Sequence, residues 1–173
     1  MIIFLDMDGV LADFNGAMIK HFGVPFDQVG GGDAKERWRL ITSELPDVYA
    51  NLDALPDADD LVAAVTEVCV EYDAIPGILT AIPKYGRLTN AQKHKYEWTR
   101  VRWPHLCKNF NIGPFAVDKQ KHARPGHILI DDSELNIPQW QAKGGYGILH
   151  VSAENSIQQL NQYVEEKYGS VSR

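Results

Sequence analysis

Two pairs of carboxylates follow apolar runs in this chain. Asp6 and Asp8 close the run Ile2-Ile3-Phe4-Leu5 as Asp-x-Asp-Gly, and Asp131-Asp132 close His127-Ile128-Leu129-Ile130 in the same way. Side chains alternate along a strand, so Asp6 and Asp8 share one side if the extended geometry persists. Charges so placed repel each other. An oxygen-only cluster suits a divalent hard cation, Mg²⁺ first, which takes few carboxylates and keeps water or phosphate oxygens. Between the two pairs lie a hydroxyl at the end of Ile78-Leu79-Thr80-Ala81 and the lysines Lys93 and Lys95 on a helical segment. Carboxylates around a cation, a hydroxyl and an ammonium are the parts phosphoryl transfer requires, because its catalysis is chiefly positioning and charge neutralisation. Singly, an Asp after a strand is a turn residue, Thr80 a strand end and each Lys a solvated face. The ordered set carries the reading.

Bringing these groups together is the task of the surrounding elements. Ile2–Leu5, Ala74–Leu79, His127–Ile130 and Gly147–Val151 are short and rich in β-branched residues, as buried strands are. Phe115-Ala116-Val117 reads as a further short strand. Helical spacing fills the intervals: Leu61, Val62, Val65, Val68 and Cys69 share a face between Asp57 and Tyr72, Ala91–Trp103 stops at Pro104, and Ser152 or Asn155 caps a last helix. Alternating strands and helices predict an α/β doubly wound parallel sheet, whose strands all bring their carboxyl ends to one ligand-binding edge. One interval departs from the alternation. The roughly 60 residues from Asp13 to Asp73 exceed what a crossover helix needs, so a small helical cap is expected over 13–73, inserted after the first strand, with the catalytic core in 1–12 and 74–173. Its helical patterns lie near 13–22 and 34–44.

Composition limits the partners. The 173 residues carry 17 Lys+Arg against 23 Asp+Glu, a formal charge of −6, without the basic surface that an extended nucleic acid needs. A small phosphorylated substrate, met locally, is compatible with that charge. Two cysteines, Cys69 and Cys107, in no metal spacing, point to a reducing, cytoplasmic setting. No apolar stretch approaches the length of a membrane span. A homodimer is left open.

Asp6-Met7-Asp8-Gly9-Val10, Thr80, a helix-borne Lys and Asp131-Asp132, in that order, resemble the four motifs of the haloacid dehalogenase superfamily of phosphohydrolases. Val10-Leu11-Ala12-Asp13-Phe14, Leu52-Asp53-Ala54-Leu55-Pro56, Lys95-Tyr96-Glu97-Trp98 and Ile128–Asp132 narrow the resemblance to the 5′(3′)-deoxyribonucleotidase group, from residue 1 to about 135. The resemblance implies Asp6 as the nucleophile that becomes an aspartyl-phosphate, and Asp8 as general acid and then base. It implies Mg²⁺ held by Asp6, the Asp8 backbone carbonyl, Asp131 and Asp132. Thr80 is implied as a phosphoryl hydrogen-bond donor and Lys95, which precedes the Tyr-x-Trp, as the neutralising cation. Phe14 stands where the family stacks the base, with Trp38 or Tyr49 completing that wall. Ala81-Ile82 replace the family's common Ser-Pro, removing a hydroxyl beside the phosphate. The implied activity is a Mg²⁺-dependent phosphomonoesterase acting on a nucleoside monophosphate, preferably a deoxyribonucleotide. A phosphatase of sugar phosphates or of nucleic-acid 3′-ends competes with it. A receiver-type phosphoacceptor fits poorly, because it has no such insertion after its first strand, and a silent binding module would not need both Asp6 and Asp8.

Overall fold

Five strands form among the described residues of the computed structural model, which are 1–83, 88, 90–113 and 115–169: β1 (Ile2–Leu5), β2 (Ile75–Ala81), β3 (Phe110–Gly113), β4 (Ile128–Asp131) and β5 (Tyr146–Leu149). They make one sheet in the order β3-β2-β1-β4-β5, every neighbouring pair parallel. The chain winds outward from β1 to β3 on one side, then returns to β4 and β5 on the other. The reversal falls between β1 and β4, the crevice where doubly wound sheets bind ligands. Register places Leu5 between Ile78 and Ile130, so the residues that leave β1 and β4 emerge side by side.

Alternation along the strands serves two cores. Ile3, Leu5, Ile78, Ile128 and Ile130 face the larger one, while Phe4, Leu79 and Leu129 face a smaller one built around Trp140. Burial on both faces is what makes these strands read as continuous apolar runs.

Among the described residues six α-helices accompany the sheet: α1 (Phe14–Phe22), α2 (Ala34–Glu44), α3 (Ala58–Glu71), α4 (Ala91–Arg102), α5 (Asn136–Gln141) and α6 (Ala153–Tyr168). Local chemistry sets their ends. Asp13 caps α1 by accepting from Gly16 N at 2.7 Å, Asp33 caps α2 through Glu36 N at 2.7 Å, and Ser152 rather than Asn155 caps α6. α3 buries the predicted face, Leu61, Val62, Val65, Val68 and Cys69, and packs against β2 and α6. It therefore belongs to the helical layer on the sheet. Only α1, α2 and two 3₁₀ turns, Phe26–Gly32 and Val48–Ala50, stand between β1 and that layer. The two connections to this helical segment run antiparallel, with Asp13 N donating to Asp53 O and Leu55 N to Leu11 O, each at 2.9 Å.

One expected strand is absent. Phe115-Ala116-Val117 enters a 3₁₀ helix, Ala116–His122, and the edge strand lies just upstream at Phe110–Gly113. Among the described residues no helix is long and apolar enough to cross a membrane.

Candidate active site

Beyond β1 the chain turns at once instead of continuing. Leu11 N and Ala12 N both donate to Met7 O, and Gly9 takes a φ of +77°. This tight loop holds Asp6 and Asp8 at the carboxyl edge beside the end of β4. Carboxylate oxygens of Asp6, Asp131 and Asp132 lie within 4.8 Å of one another. Asp6 Oδ1 accepts from Met7 N at 2.7 Å, and Asp131 Oδ1 from Ser133 N at 2.9 Å. Asn136 Nδ2 donates to both oxygens of Asp131, fixing the plane of that buried carboxylate. Burial, with repulsion from Asp6 and Asp131, pushes the Asp132 carboxyl up to about 7. A cation placed among these oxygens would relieve that crowding. Gly9 makes room for the cluster, since a Cβ there would collide with the Asp132 carboxylate. Gly9→Ala is accordingly expected to lose about 1–2 kcal/mol of stability, read by denaturant unfolding, and to lower turnover as Asp132 is displaced. Wild-type turnover in that variant would exclude this packing role.

Two lysines meet the carboxylates, and they do different things. Lys119, only 2% exposed, places Nζ 2.7 Å from Asp6 Oδ2 and 2.7 Å from Asp131 Oδ2. Burial alone would lower its pKa, but the two carboxylates hold it well above the ordinary lysine value. Sequence reasoning missed this residue. Lys95 is fully buried; its Nζ donates to Asp8 Oδ2 at 2.6 Å and to Thr80 Oγ1 at 3.0 Å, and lies 4.3 Å from the centre of the Tyr49 ring. Thr80 is also fully buried. The expected pair Thr80 and Lys95 therefore comes together beside Asp8, behind the wall of the cleft. Lys93 lines a different groove, with Tyr96 and Lys108. Asp8 keeps Oδ1 sealed without a partner, and burial raises its pKa against the opposing pull of Lys95.

A cleft of about 650 Å³ opens from this group. Asp6, Asp8, Lys119 and Asp132 form its charged end, and Phe14, Phe26, Trp38 and Tyr49 its aromatic wall; Ala81, Ile82 and Phe115 lie on the cleft as well. Phe14 organises the wall. It stacks on Tyr49 at 5.5 Å and 19°, meets Phe26 edge-on at 5.3 Å and lies 6.2 Å from Trp38. Of the residues singled out in the sequence, Asp6, Asp8, Phe14, Trp38, Tyr49, Ala81, Ile82 and Asp132 border the cleft, and Asp131 pairs with Lys119 beside Asp6. A charged end that can gather phosphate oxygens, joined to an aromatic wall that can stack a flat ring, has the dimensions of a small-molecule site.

The human cytosolic type 5′(3′)-deoxyribonucleotidase is 27% identical over 167 residues, covering 80% of this chain and 76% of that protein. The family model described as 5′ nucleotidase, deoxy (pyrimidine), cytosolic type C protein matches residues 1–166, which takes in both ends of the cleft and every strand of the sheet. With so nearly the whole chain matched, this protein belongs to that family of 5′-nucleotidases and is a phosphoric monoester hydrolase.

Proposed function

We propose that the chain is a Mg²⁺-dependent phosphatase of deoxyribonucleoside monophosphates that works through an aspartyl-phosphate on Asp6. The observation that carries this reading is the joining, in one cleft, of the Asp6, Asp8 and Asp132 carboxylates with the aromatic wall around Phe14. The oxygen-only set formed by Asp6, Asp131 and Asp132 fits Mg²⁺, with the Asp8 backbone carbonyl as a further ligand. Bound there, the ion would supply charge neutralisation for phosphoryl oxygens.

The remaining steps fall to the chain's own groups. An Asp6 carboxylate oxygen attacks phosphorus, the bond from phosphorus to the nucleoside oxygen breaks, and Asp8 gives its proton to that oxygen. Burial, which raises the Asp8 pKa, favours the protonated acid at this stage. Asp8 then takes a proton from water, which attacks the phosphorus of the acyl-phosphate and frees Asp6 and inorganic phosphate. Lys119, on the cleft and against Asp6, takes the neutralising role expected of Lys95. Lys95 orients Asp8, and Thr80 holds Lys95 in place. Phe14 and Trp38 stack the base, and the small Ala81 also lines the cleft.

The cap in this reading spans 13–53, where the antiparallel connections begin and end, while α3 stays with the core. Two free cysteines agree with a cytoplasmic setting. Phosphate release should be assayed across deoxyribonucleotides, ribonucleotides and sugar phosphates, with and without Mg²⁺. Turnover is expected to be fastest on a deoxyribonucleotide and lost with chelator. Mg²⁺ at 100 times its Kd should add about 2.7 kcal/mol of stability to the wild type and much less to Asp131→Asn. Preference for a sugar phosphate would overturn the substrate, and indifference to Mg²⁺ the metal.

A further inference from the structure

Helix α4 supports both ends of the cleft. Lys95, Trp98 and Arg102 follow one another at spacings of three and four residues, so they share one face of the helix. Lys95 serves the charged end through its bond to Asp8. Trp98 and Arg102 reach the end of the helical segment instead. The buried Trp98 donates from Nε1 to Leu52 O at 2.8 Å, and Arg102 donates from Nη2 to the same oxygen at 3.3 Å. The Arg102 guanidinium also covers the Trp98 ring, 4.2 Å from its centre. An indole N–H has a single bond to donate, and here it goes to the backbone of another element.

The place of that carbonyl gives the bond its consequence. Leu52 directly precedes Asp53, whose own carbonyl accepts from Asp13 N where the two connections of segment 13–53 run side by side. Three residues before Leu52, Tyr49 packs against the Lys95 ammonium and stacks on Phe14 in the aromatic wall. Lys95 and Trp98 lie about 4.5 Å apart along one helix axis, so holding Leu52 O on α4 holds the wall relative to Asp8. We propose that Trp98 is a positioning residue: by fixing Leu52 O it sets the span between the aromatic wall and the charged end, and so the fit of a substrate that reaches both. This inference rests on the nucleotide reading of the cleft, with the phosphate at Asp6 and the base on the wall.

Trp98→Phe removes the donor and keeps a ring in the core. Trp103→Phe is its matched control: that indole meets Trp98 edge-on at 5.6 Å, but its Nε1 donates at 2.8 Å to Asp59 Oδ1 in the first turn of α3, a bond within the core. With Mg²⁺ present, Trp98→Phe is expected to raise KM for deoxyuridine 5′-monophosphate about three- to tenfold, the range of one hydrogen bond. Its kcat should stay within about twofold of wild type, because Lys95 still holds Asp8. The Ki of inorganic phosphate, which fills the charged end alone, and the KM of deoxyribose 5-phosphate, which has no base, should not move. Trp103→Phe should change none of these values. An unchanged nucleotide KM in Trp98→Phe overturns the proposal, and so does a rise shared by Trp103→Phe or by the phosphate Ki, since general loosening moves them together. Where Trp98→Phe does not fold, Arg102→Leu decides: Arg102 is exposed, and its loss should raise the nucleotide KM in the same direction by less, so that no rise overturns the proposal. A wild type that binds deoxyribose 5-phosphate as tightly as the nucleotide overturns the nucleotide reading itself, before any variant is compared.

Discussion

Replacing Asp6 by Asn is expected to lower turnover by about 10⁴-fold or more while leaving a folded protein, the scale seen when a nucleophile is removed from its supporting site. A carboxamide cannot form the acyl-phosphate. The cost to the fold is limited by what surrounds the position. Asn can still accept from Met7 N, which Asp6 Oδ1 does at 2.7 Å, but its amide nitrogen would face the Lys119 ammonium. Lys119 keeps its second partner, Asp131, and relief of repulsion among the neighbouring carboxylates works in the variant's favour. A stability loss of about 1–3 kcal/mol is the expected size for one disturbed buried polar contact. Asp6→Glu tests position separately from charge, because it keeps the carboxylate but carries it beyond its contacts with Met7 and Lys119. It should be nearly as inactive. Phosphate release at saturating nucleotide, with circular dichroism to verify folding, decides the matter; turnover in Asp6→Asn above about a hundredth of wild type would be incompatible with a covalent role for this side chain.

What the sequence discloses about this site follows from which features are local. Asp6, Asp8, Asp131 and Asp132 were legible because each pair ends an apolar run, and parallel strands bring such ends to one edge. Lys119 was not legible. It lies in the polar run Asp118-Lys119-Gln120-Lys121-His122, which reads as a solvated face, and a 3₁₀ helix turns it inward to the strand ends. The available signal is indirect: converging carboxylates need a cation, and Lys119 stands twelve positions before Asp131. β3 escaped for a related reason, since Phe110-Asn111-Ile112-Gly113 is a short, partly polar edge strand with a partner on one side only. The helical face of α3 could be read from its period, but the layer it joins is fixed by contact with α6, which no local pattern encodes. Tyr49 shows the same limit at the scale of one residue. An aromatic in a helical insertion has one appearance in sequence whether it fills a core or borders a cleft.

Lys119→Met is expected to lose both stability and activity. Methionine fills much of the lysine's volume, so the change removes the ammonium more than it opens a cavity. Asp6 Oδ2 and Asp131 Oδ2, each 2.7 Å from Nζ in the wild type, are left facing each other in a buried setting. Breaking a buried ion pair by removing one partner costs about 3–5 kcal/mol, which in a domain of this size lowers Tm by roughly 10 °C. If Asp6 is the nucleophile proposed above, losing the cation beside it removes electrostatic stabilisation of the transferring phosphoryl, an expected loss of about 10²–10³ in kcat. The pH dependence has a definite sign. Even with Lys119 present, burial and Asp6 raise the Asp131 pKa, and Lys119 opposes that rise. Without it the folded-state pKa of Asp131 climbs further above the unfolded value. The folded variant then binds more protons than the unfolded chain between those two values, so its stability falls as pH rises and recovers as pH is lowered. The Tm gap to wild type should therefore narrow on acidification from neutral pH toward the unfolded carboxylate range, and should narrow again on adding Mg²⁺ at neutral pH, because the same oxygens are then shared with a cation. Scanning Tm against pH with and without Mg²⁺ tests both; a gap that stays constant would mean that Lys119 acts by packing rather than by charge.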